Sequence, residues 1–204
     1  MDYLQVLNKV LLPSSYFGPI EYYAFLCKYR NIYVEVQENF IKQTIRNRCY
    51  IMSANGKLRL TVPVYKTHQT KINNIKICYK QNWIKNHWFS IKSSYGSSPY
   101  FLFYENEIIK ILQKREKYLF DLNNSLQNKI FEILDINPLI TFTKNYNHEN
   151  NMFDLRNYSF LHNKIKPYNQ VFMNKLNFIP NLSILDLIFN LGPQSTKYLL
   201  EIDI

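Results

Sequence analysis

Residues 6–36, VLNKVLLPSSYFGPIEYYAFLCKYRNIYVEV, decide the fold of this chain. Residues 6–12 form a short apolar run that ends at a proline, and this pattern predicts a first β-strand. Residues 20–29 carry aromatic and aliphatic side chains at helical spacing, with Gly18 and Pro19 placed before them as helix-start signals. Residues 31–36 alternate and are rich in β-branched side chains, which is typical of a strand. The stretch therefore predicts a β-α-β unit whose two parallel strands are joined by a right-handed crossover.

The residues that follow predict a hairpin and then mostly helices. Two β-rich runs flank Asn55-Gly56, which is a strong hairpin signal. Periodicity predicts the other elements as strands over 48–52, 57–64, 72–78 and 139–143 and helices over 83–95, 101–112 and 114–134. The predicted fold is a single α/β domain over residues 1–204. It consists of a mixed β-sheet that starts β-α-β, a β-hairpin, and a helix-rich C-terminal two-thirds.

Residues 179–193, IPNLSILDLIFNLGP, contain a complete helix with its end signals. Ser183 predicts the N-cap, and Asp186 supplies a carboxylate near the first-turn amides. Gly192 is expected to end the helix in a left-handed conformation. Capping therefore accounts for Asp186, whereas Asn181 and Asn190 are amides in an otherwise apolar segment. Because buried amides need hydrogen-bond partners, these two asparagines become candidates for orienting a substrate.

The net charge of +10 does not by itself indicate a nucleic-acid partner. The basic residues are 19 lysines and only six arginines, and the lysines are scattered along the chain. A nucleic-acid-binding protein would concentrate arginine for phosphate and base contacts. The abundance of Asn, Ile, Lys, Tyr and Phe indicates drift toward A+T-rich codons instead. Nucleic-acid binding is accordingly disfavoured.

The remaining composition points to a cytoplasmic protein without a membrane partner. No apolar run approaches the ~18 residues of a membrane span, and the first residues lack a signal-peptide pattern. Three widely spaced cysteines, Cys27, Cys49 and Cys78, indicate reduced thiols rather than disulfides. Because no metal-ligand spacing is present, neither a metal nor a cofactor is expected.

The densest polar cluster of the strand-rich part contains Lys42, Arg46, Asn47 and Arg48. At strand spacing Arg46 and Arg48 share one face, and Asn47 points to the other. Two guanidinium groups on one face would bind a phosphate or carboxylate through paired hydrogen bonds. The alternative is an exposed basic edge that discourages aggregation. The sequence favours neither interpretation over the other.

Trp83 and His87 are the second candidate pair, because residues four apart meet on one face of a helix. His87 would then act as a general acid or base against an aromatic wall. The alternative is a histidine that lines the core with its hydrogen bonds satisfied. Cys49 also has two interpretations, a nucleophile activated by nearby cations or a small buried apolar residue, and the second is the commoner case. The predicted start of the helix at Ile20 offers free amides as a weak anion site.

Taken in order, these segments resemble the WbqC-like protein family. The resemblance rests on residues 16–23, 40–42, 46–48, 55–64, 82–88, 94–101 and 179–193. It implies a setting in surface-polysaccharide (O-antigen) gene clusters, and a glycine-transfer role has been suggested for some members. The chain departs from the longer family type at residues 14–15, at residues 36–39, where that type has acidic residues, and in a shortened segment around 157–169. It is therefore more similar to a shorter branch.

The resemblance and the residues together give a leading hypothesis and two alternatives. The leading hypothesis is a bacterial, cytoplasmic group transferase, acyl, aminoacyl or sugar-related, that acts on an anionic small molecule and is linked to surface-polysaccharide biosynthesis. The alternatives are a non-catalytic small-anion-binding or scaffold protein and an RNA-binding protein. The sequence leaves open whether the protein is an enzyme and what its oligomeric state is. The catalytic candidate is His87, and the substrate-binding candidates are Lys42, Arg46, Asn47, Arg48, Trp83, Asn181 and Asn190.

Overall fold

The computed structural model describes residues 9–65, 69–146, 152–160 and 165–204. The strands are β1 (Lys9–Pro13), β2 (Asn31–Glu35), β3 (Arg48–Ser53), β4 (Gly56–Thr61), β5 (Leu139–Phe142) and β6 (Phe153–Asp154). The helices are α1 (Ile20–Lys28), α2 (Trp83–Tyr95), α3 (Phe101–Gln113), α4 (Leu119–Leu134), α5 (Met173–Leu176), α6 (Ile184–Leu191) and α7 (Ser195–Glu201). The α/β fold class predicted from the sequence is confirmed.

The main sheet is parallel and has the strand order β5-β2-β1-β6. The predicted β-α-β unit is present, with Val10 opposite Ile32 in the β1–β2 register. Part of the predicted first strand lies on residues 6–8, outside the described residues. The predicted strand at 139–143 is β5, at the edge beside β2. Sequence periodicity missed β6 because two residues, paired with Val10 and Leu11, are too short to show alternation.

The predicted hairpin is β3–β4, and it forms a separate two-stranded sheet. It packs against α2 and α6, so the strands are divided between two sheets. The strand predicted at 72–78 is wrong. Residues Ile72–Asn74 form a 3₁₀ turn, and the residues after it make only isolated bridges, such as Ile77 with Val64. Alternation alone could not distinguish this segment, because it pairs with loops rather than with a full strand.

The C-terminal segment before α6 is held against the start of α1. The amide of Ile20 donates to the carbonyl of Leu182 at 2.9 Å, and the amide of Ile184 donates to the carbonyl of Gly18 at 2.8 Å. Ser183 caps α6 as predicted, because its Oγ accepts from the amide of Leu185 at 3.3 Å. The two ends of the chain thereby meet beside the main sheet.

One hydrophobic cluster joins the main sheet, the hairpin and the helices other than α5, with buried members from Val10 to Ile202. It includes most of α1 and nearly all of α6, which explains why these helices carry so many aromatic and aliphatic side chains. Within residues 9–65, 69–146, 152–160 and 165–204, no helix combines the length and apolar character needed to cross a bilayer.

Gly192 is expected to tolerate no side chain. Its φ is +52°, and a Cβ atom there would lie 2.4 Å from Cδ1 of Tyr100. Gly56 is a matched control, because its φ is +102° but nothing lies within 4 Å of its Cβ position. We expect Gly192→Ala to lower the free energy of unfolding by at least about 3 kcal/mol, and Gly56→Ala by about 1 kcal/mol. Urea unfolding measures both, and equal losses would show that the contact with Tyr100 has no cost.

Candidate functional site

A cavity of about 330 Å³ lies at the carboxyl ends of β1 and β6. Pro13 and Phe17 line it from the β1 side, and residues 156–160 line it from the β6 side. The chain runs from β1 to β2 on one side and later reaches β6 on the other. This is the switch point of the parallel sheet, the position at which open α/β sheets bind ligands. We call it the switch-point cavity.

Two of the cations that line this cavity are neutralised by buried ion pairs. Nε and Nη2 of Arg46 each lie 2.6 Å from a carboxylate oxygen of Glu38. Arg156 is paired with Glu35 at 3.0 Å and with Asp154 at 2.7 Å. The guanidinium of Arg46 is therefore committed to its own carboxylate, because breaking such a buried pair leaves an uncompensated charge. The prediction that Arg46 and Arg48 bind one anion together is not favoured by this geometry.

Arg48 and Lys57 line the same cavity without a carboxylate partner among the described residues. The Nε atom of Arg48 is buried and has no hydrogen-bond acceptor in the described part of the chain. The Lys57 ammonium lies 4.7 Å from the ring centroid of Tyr50. The described residues that line the cavity include four cations and no acidic side chain. Because buried donors need acceptors, this lining is complementary in charge to an anion.

Asn181, the first predicted site residue of the C-terminal segment, also lines the switch-point cavity. Its Oδ1 accepts from the amide of Glu21 at 2.9 Å, and its Nδ2 donates to Oε2 of Glu21 and to the carbonyl of Phe160, both at 3.1 Å. The N-cap residue of α1, Pro19, makes no side-chain cap bond. Asn181 therefore caps α1 from a distant part of the sequence.

These contacts close the N-terminus of α1 to ligands. The amide of Ile20 donates to Leu182, and the amide of Glu21 donates to Asn181. The expected anion site at the start of this helix is therefore filled by the protein's own C-terminal segment. The interpretation from sequence was wrong because it could not show that residues 181–182 dock there.

Three of the seven described non-glycine residues with a positive φ line the cavity. Phe17, Gln43 and Asn181 line it with φ of +42°, +63° and +51°. A positive φ is uncommon outside glycine and asparagine and costs most at a bulky residue such as Phe17. Because strain of this kind clusters where surrounding structure must hold a precise shape, it supports a functional cavity here.

His87 and Trp83 lie outside the lining of the switch-point cavity. Nδ1 of His87 is 2.9 Å from the hydroxyl oxygen of Tyr16, and its ring also bonds the backbone of Thr61. Burial lowers the pKa of His87 to about 4, although the Thr61 bond acts in the opposite direction. Its ring is therefore neutral at pH 7 with both nitrogens engaged. This geometry favours a structural histidine, and the proton-transfer role stays a prediction without a contact to the cavity.

The other predicted residues are also apart from the cavity. Lys42 is exposed and does not line it. Nδ2 of Asn47 donates to the carbonyl of Val62 at 3.0 Å, at the open end of the hairpin. Nδ2 of Asn190 donates to the carbonyl of Asp186 at 2.7 Å and borders a different surface groove. The structure thus brings Arg46, Arg48 and Asn181 together and leaves the rest elsewhere.

Asp186 does not cap α6, so that explanation from the sequence is corrected. Its carboxylate accepts from the Tyr168 hydroxyl and from Nε2 of Gln170, the latter at 2.8 Å. Gln170 also exchanges two hydrogen bonds with the backbone of Ile179. The buried carboxylate therefore holds the segment before α6 in place. Burial raises the pKa of Asp186 to about 6, against the lowering effect of these hydrogen bonds.

Cys49 lines the cavity but is not activated. Burial raises the pKa of its thiol, and a hydrogen bond with Ser183 opposes this only in part. A thiol with a raised pKa stays protonated at pH 7, so the apolar interpretation of Cys49 is favoured. In the described part of the chain, no group of three or more His, Cys, Asp or Glu residues could hold a metal ion.

Sequence reasoning missed Arg156, Lys57 and Tyr158, all of which line the cavity. The rarity of arginine, six in the chain, was a signal that could have identified Arg156 beside Asp154. Lys57 is one of 19 lysines, and nothing local distinguishes it. Tyr158 donates to Oε1 of Glu21 at 2.7 Å, a pairing between residues 137 apart that no sequence pattern shows.

Comparison with known proteins identifies one family. The model of the WbqC-like protein family matches residues 14–157 and 153–198, which is most of the chain. No curated protein and no solved structure matches it. The match includes the loop after β1, the hairpin, and the segment that carries Asn181. The family resemblance predicted from the sequence motifs is confirmed.

Substitutions of Asn181 are expected to destabilise the fold in two separable ways: through loss of the side-chain amide and through strain at its positive φ. Asn181→Gly removes the cap of α1 and the bond to Glu21 but keeps the positive φ, so it should cost about 2 kcal/mol. Asn181→Ala adds the cost of a Cβ atom in the left-handed region, about 1 kcal/mol more. Chemical denaturation gives both values. If alanine were no worse than glycine, the backbone at this position would not be strained.

Asp186→Asn is expected to flatten the pH dependence of stability. The pKa of Asp186 is raised from 3.8 to about 6 in the folded state, so its contribution to stability is complete below pH 3.8 and is lost as the pH rises to 6. At 1.36 kcal/mol per pKa unit the loss is about 3 kcal/mol. We expect the stability difference between wild type and Asp186→Asn to change by that amount between pH 4 and 7. A constant difference would contradict the raised pKa.

Proposed function

We infer that this chain, which belongs to the WbqC-like protein family, binds a small anionic molecule in the switch-point cavity. The observation that carries the proposal is the guanidinium of Arg48. It lines the cavity, and its buried Nε has no acceptor among the described residues. The terminal guanidinium nitrogens also have no acceptor among the described residues, and a planar anion in the cavity would supply one through charge-assisted hydrogen bonds.

The surroundings of Arg48 support an anion over a neutral ligand. Met52 is four residues from Arg48 on β3 and therefore shares its face. Lys57 is opposite Met52 in the β3–β4 register, so it lies on the same face of the hairpin as Arg48. Arg46 and Arg156 are neutralised by their own carboxylates, so they add little net field. The volume of about 330 Å³ corresponds to the lower end of the range of small-molecule sites.

We propose further that the bound anion is one substrate of a group transfer, acyl, aminoacyl or sugar-related, and that the reaction belongs to surface-polysaccharide biosynthesis in the cytoplasm. Membership of the family supports this reaction class. In this proposal Arg48 binds and orients the anion, and Lys57 adds positive charge to the same cavity. Asn181 shapes the wall of the cavity rather than contacting the reacting atoms, because its amide is fully hydrogen-bonded.

A specific observation favours the second candidate, a non-catalytic small-anion-binding protein. The nucleophile candidates on the described cavity wall are poorly activated. Burial raises the pKa of the Cys49 thiol, and the hydrogen bond to Glu21 raises the pKa of Tyr158 to about 12. The two candidates share the same binding site, so they are separated by the fate of the ligand and not by its location.

The binding proposal is tested by a thermal-shift screen of small anions against three proteins: wild type, Arg48→Ala and Arg59→Ala. Arg59 is the matched control, because it is an exposed arginine of the same hairpin that does not line the cavity. We expect an anion at about 100 times its Kd to raise the Tm of wild type and Arg59→Ala by several degrees. The shift should disappear in Arg48→Ala.

Two outcomes contradict the binding proposal: no anion that raises the Tm of wild type, or an equal shift in all three proteins. Arg48→Ala is expected to fold, because it removes a buried donor that has no partner. Mass spectrometry of the identified anion, after incubation with the protein and a cell extract, separates the candidates. An Arg48-dependent change of mass indicates the transferase, and an unchanged ligand indicates the binding protein.

A further inference from the structure

We propose that the anion bound in the switch-point cavity is an organic carboxylate with an apolar body, and not a phosphate or a nucleotide. The proposal rests on the function inferred above, because it assumes that the ligand occupies this cavity. It follows from three properties of the cavity: its apolar wall, the single guanidinium without a carboxylate partner at its polar end, and the engaged amides at the start of α1.

The apolar wall is built from both sides of the sheet's edge. Phe17 comes from the loop after β1, Phe160 from the segment after β6, and Ile41 and Ile45 from the turn before the hairpin. Ile41 is 43% exposed. A ligand with an apolar body would cover it and gain the free energy of removing apolar surface from water. A compact inorganic anion would leave this wall in contact with water.

The polar end offers one planar guanidinium. Arg48 is at the start of β3, and the other unpaired cation, Lys57, is opposite Met52 at the far end of the hairpin. The Lys57 ammonium is held near the ring of Tyr50. The strand register therefore places the backbones of the two cations at opposite ends of the hairpin. A single guanidinium matches the two oxygens of a carboxylate, whereas a phosphate dianion requires several converging donors.

The amides at the start of α1, the helix that begins beside this cavity, are engaged within the protein. The amide of Tyr16 donates to Ile45 at 2.9 Å, and the amide of Ser183 donates to Tyr50 at 2.7 Å. In the first turn of α1, the amide of Ile20 donates to the carbonyl of Leu182, and the amide of Glu21 donates to Oδ1 of Asn181. Phosphate sites in α/β proteins use such amides at a helix start. Because the amides at the start of α1 are engaged, a phosphate would find no helix-start donors there to replace its water.

The test compares four probes that differ in one feature each: phenylacetate, acetate, phenyl phosphate and inorganic phosphate. NMR titration of ¹⁵N-labelled protein gives each Kd and the residues that respond. We expect phenylacetate to bind about tenfold or more tightly than acetate and phenyl phosphate, with shifts at residues around the cavity. Binding should be lost in Arg48→Ala and retained in Arg59→Ala.

Ile41→Ser tests the apolar wall without endangering the fold, because this side chain is already 43% exposed. We expect it to weaken phenylacetate several-fold and to leave acetate unchanged. Substitution of the buried Phe17 would not separate binding from folding.

The outcomes distinguish this inference from the function on which it rests. Arg48-dependent binding of either phosphate more tightly than phenylacetate overturns the carboxylate class and leaves anion binding intact. Equal affinities for phenylacetate and acetate would show that the ligand needs no apolar body. If neither carboxylate shows Arg48-dependent binding, the inference is also wrong. The proposal of anion binding is contradicted only if no anion of the thermal-shift screen binds.

Discussion

The side-chain amide of Asn181 joins the two ends of this chain, and the arrangement around the cavity depends on it. It caps α1 in place of Pro19, binds the carboxylate of Glu21, and holds the carbonyl of Phe160 in the segment after β6. Three separate parts of the sequence are thereby fixed at one point. Because each of its hydrogen-bonding atoms has a buried partner, the amide cannot leave without leaving those partners unsatisfied.

Buried ion pairs determine the electrostatics of the same region. Glu38 neutralises Arg46, and Glu35 and Asp154 neutralise Arg156. Burial raises the pKa of Glu38, while its bonds to Arg46 lower it, which reflects how costly such a charge is away from water. These ion pairs leave only part of the cavity's positive charge for a ligand. Of four cations that line the cavity, only Arg48 and Lys57 have no carboxylate partner among the described residues, so the field in the cavity comes mainly from these two.

The agreement between sequence and structure follows the range of the interactions. The helix over residues 83–95 was predicted with its correct bounds and its cap, because Asn82 bonds the amide of Lys85 within one turn. The β-α-β unit and the hairpin were also predicted from local patterns. The strand predicted at 72–78 was wrong, and β6 was missed, because both depend on which distant segment lies alongside. Asp186 was assigned to capping for the same reason, since its partners Tyr168 and Gln170 are in a loop without a periodic pattern.

By itself the sequence determined the fold class, the main helices, the hairpin and the family, since these follow from local propensity and from the order and spacing of motifs along one chain. It also placed Arg46, Arg48 and Asn181 among the site candidates. Only the tertiary structure decided that Arg46 is neutralised, that Asn181 is a cap, and that His87 is in the core. Those assignments depend on partners that come from other segments of the fold. The charge and hydrogen-bonding state of a side chain is set by its neighbours in space, and a linear sequence does not specify them.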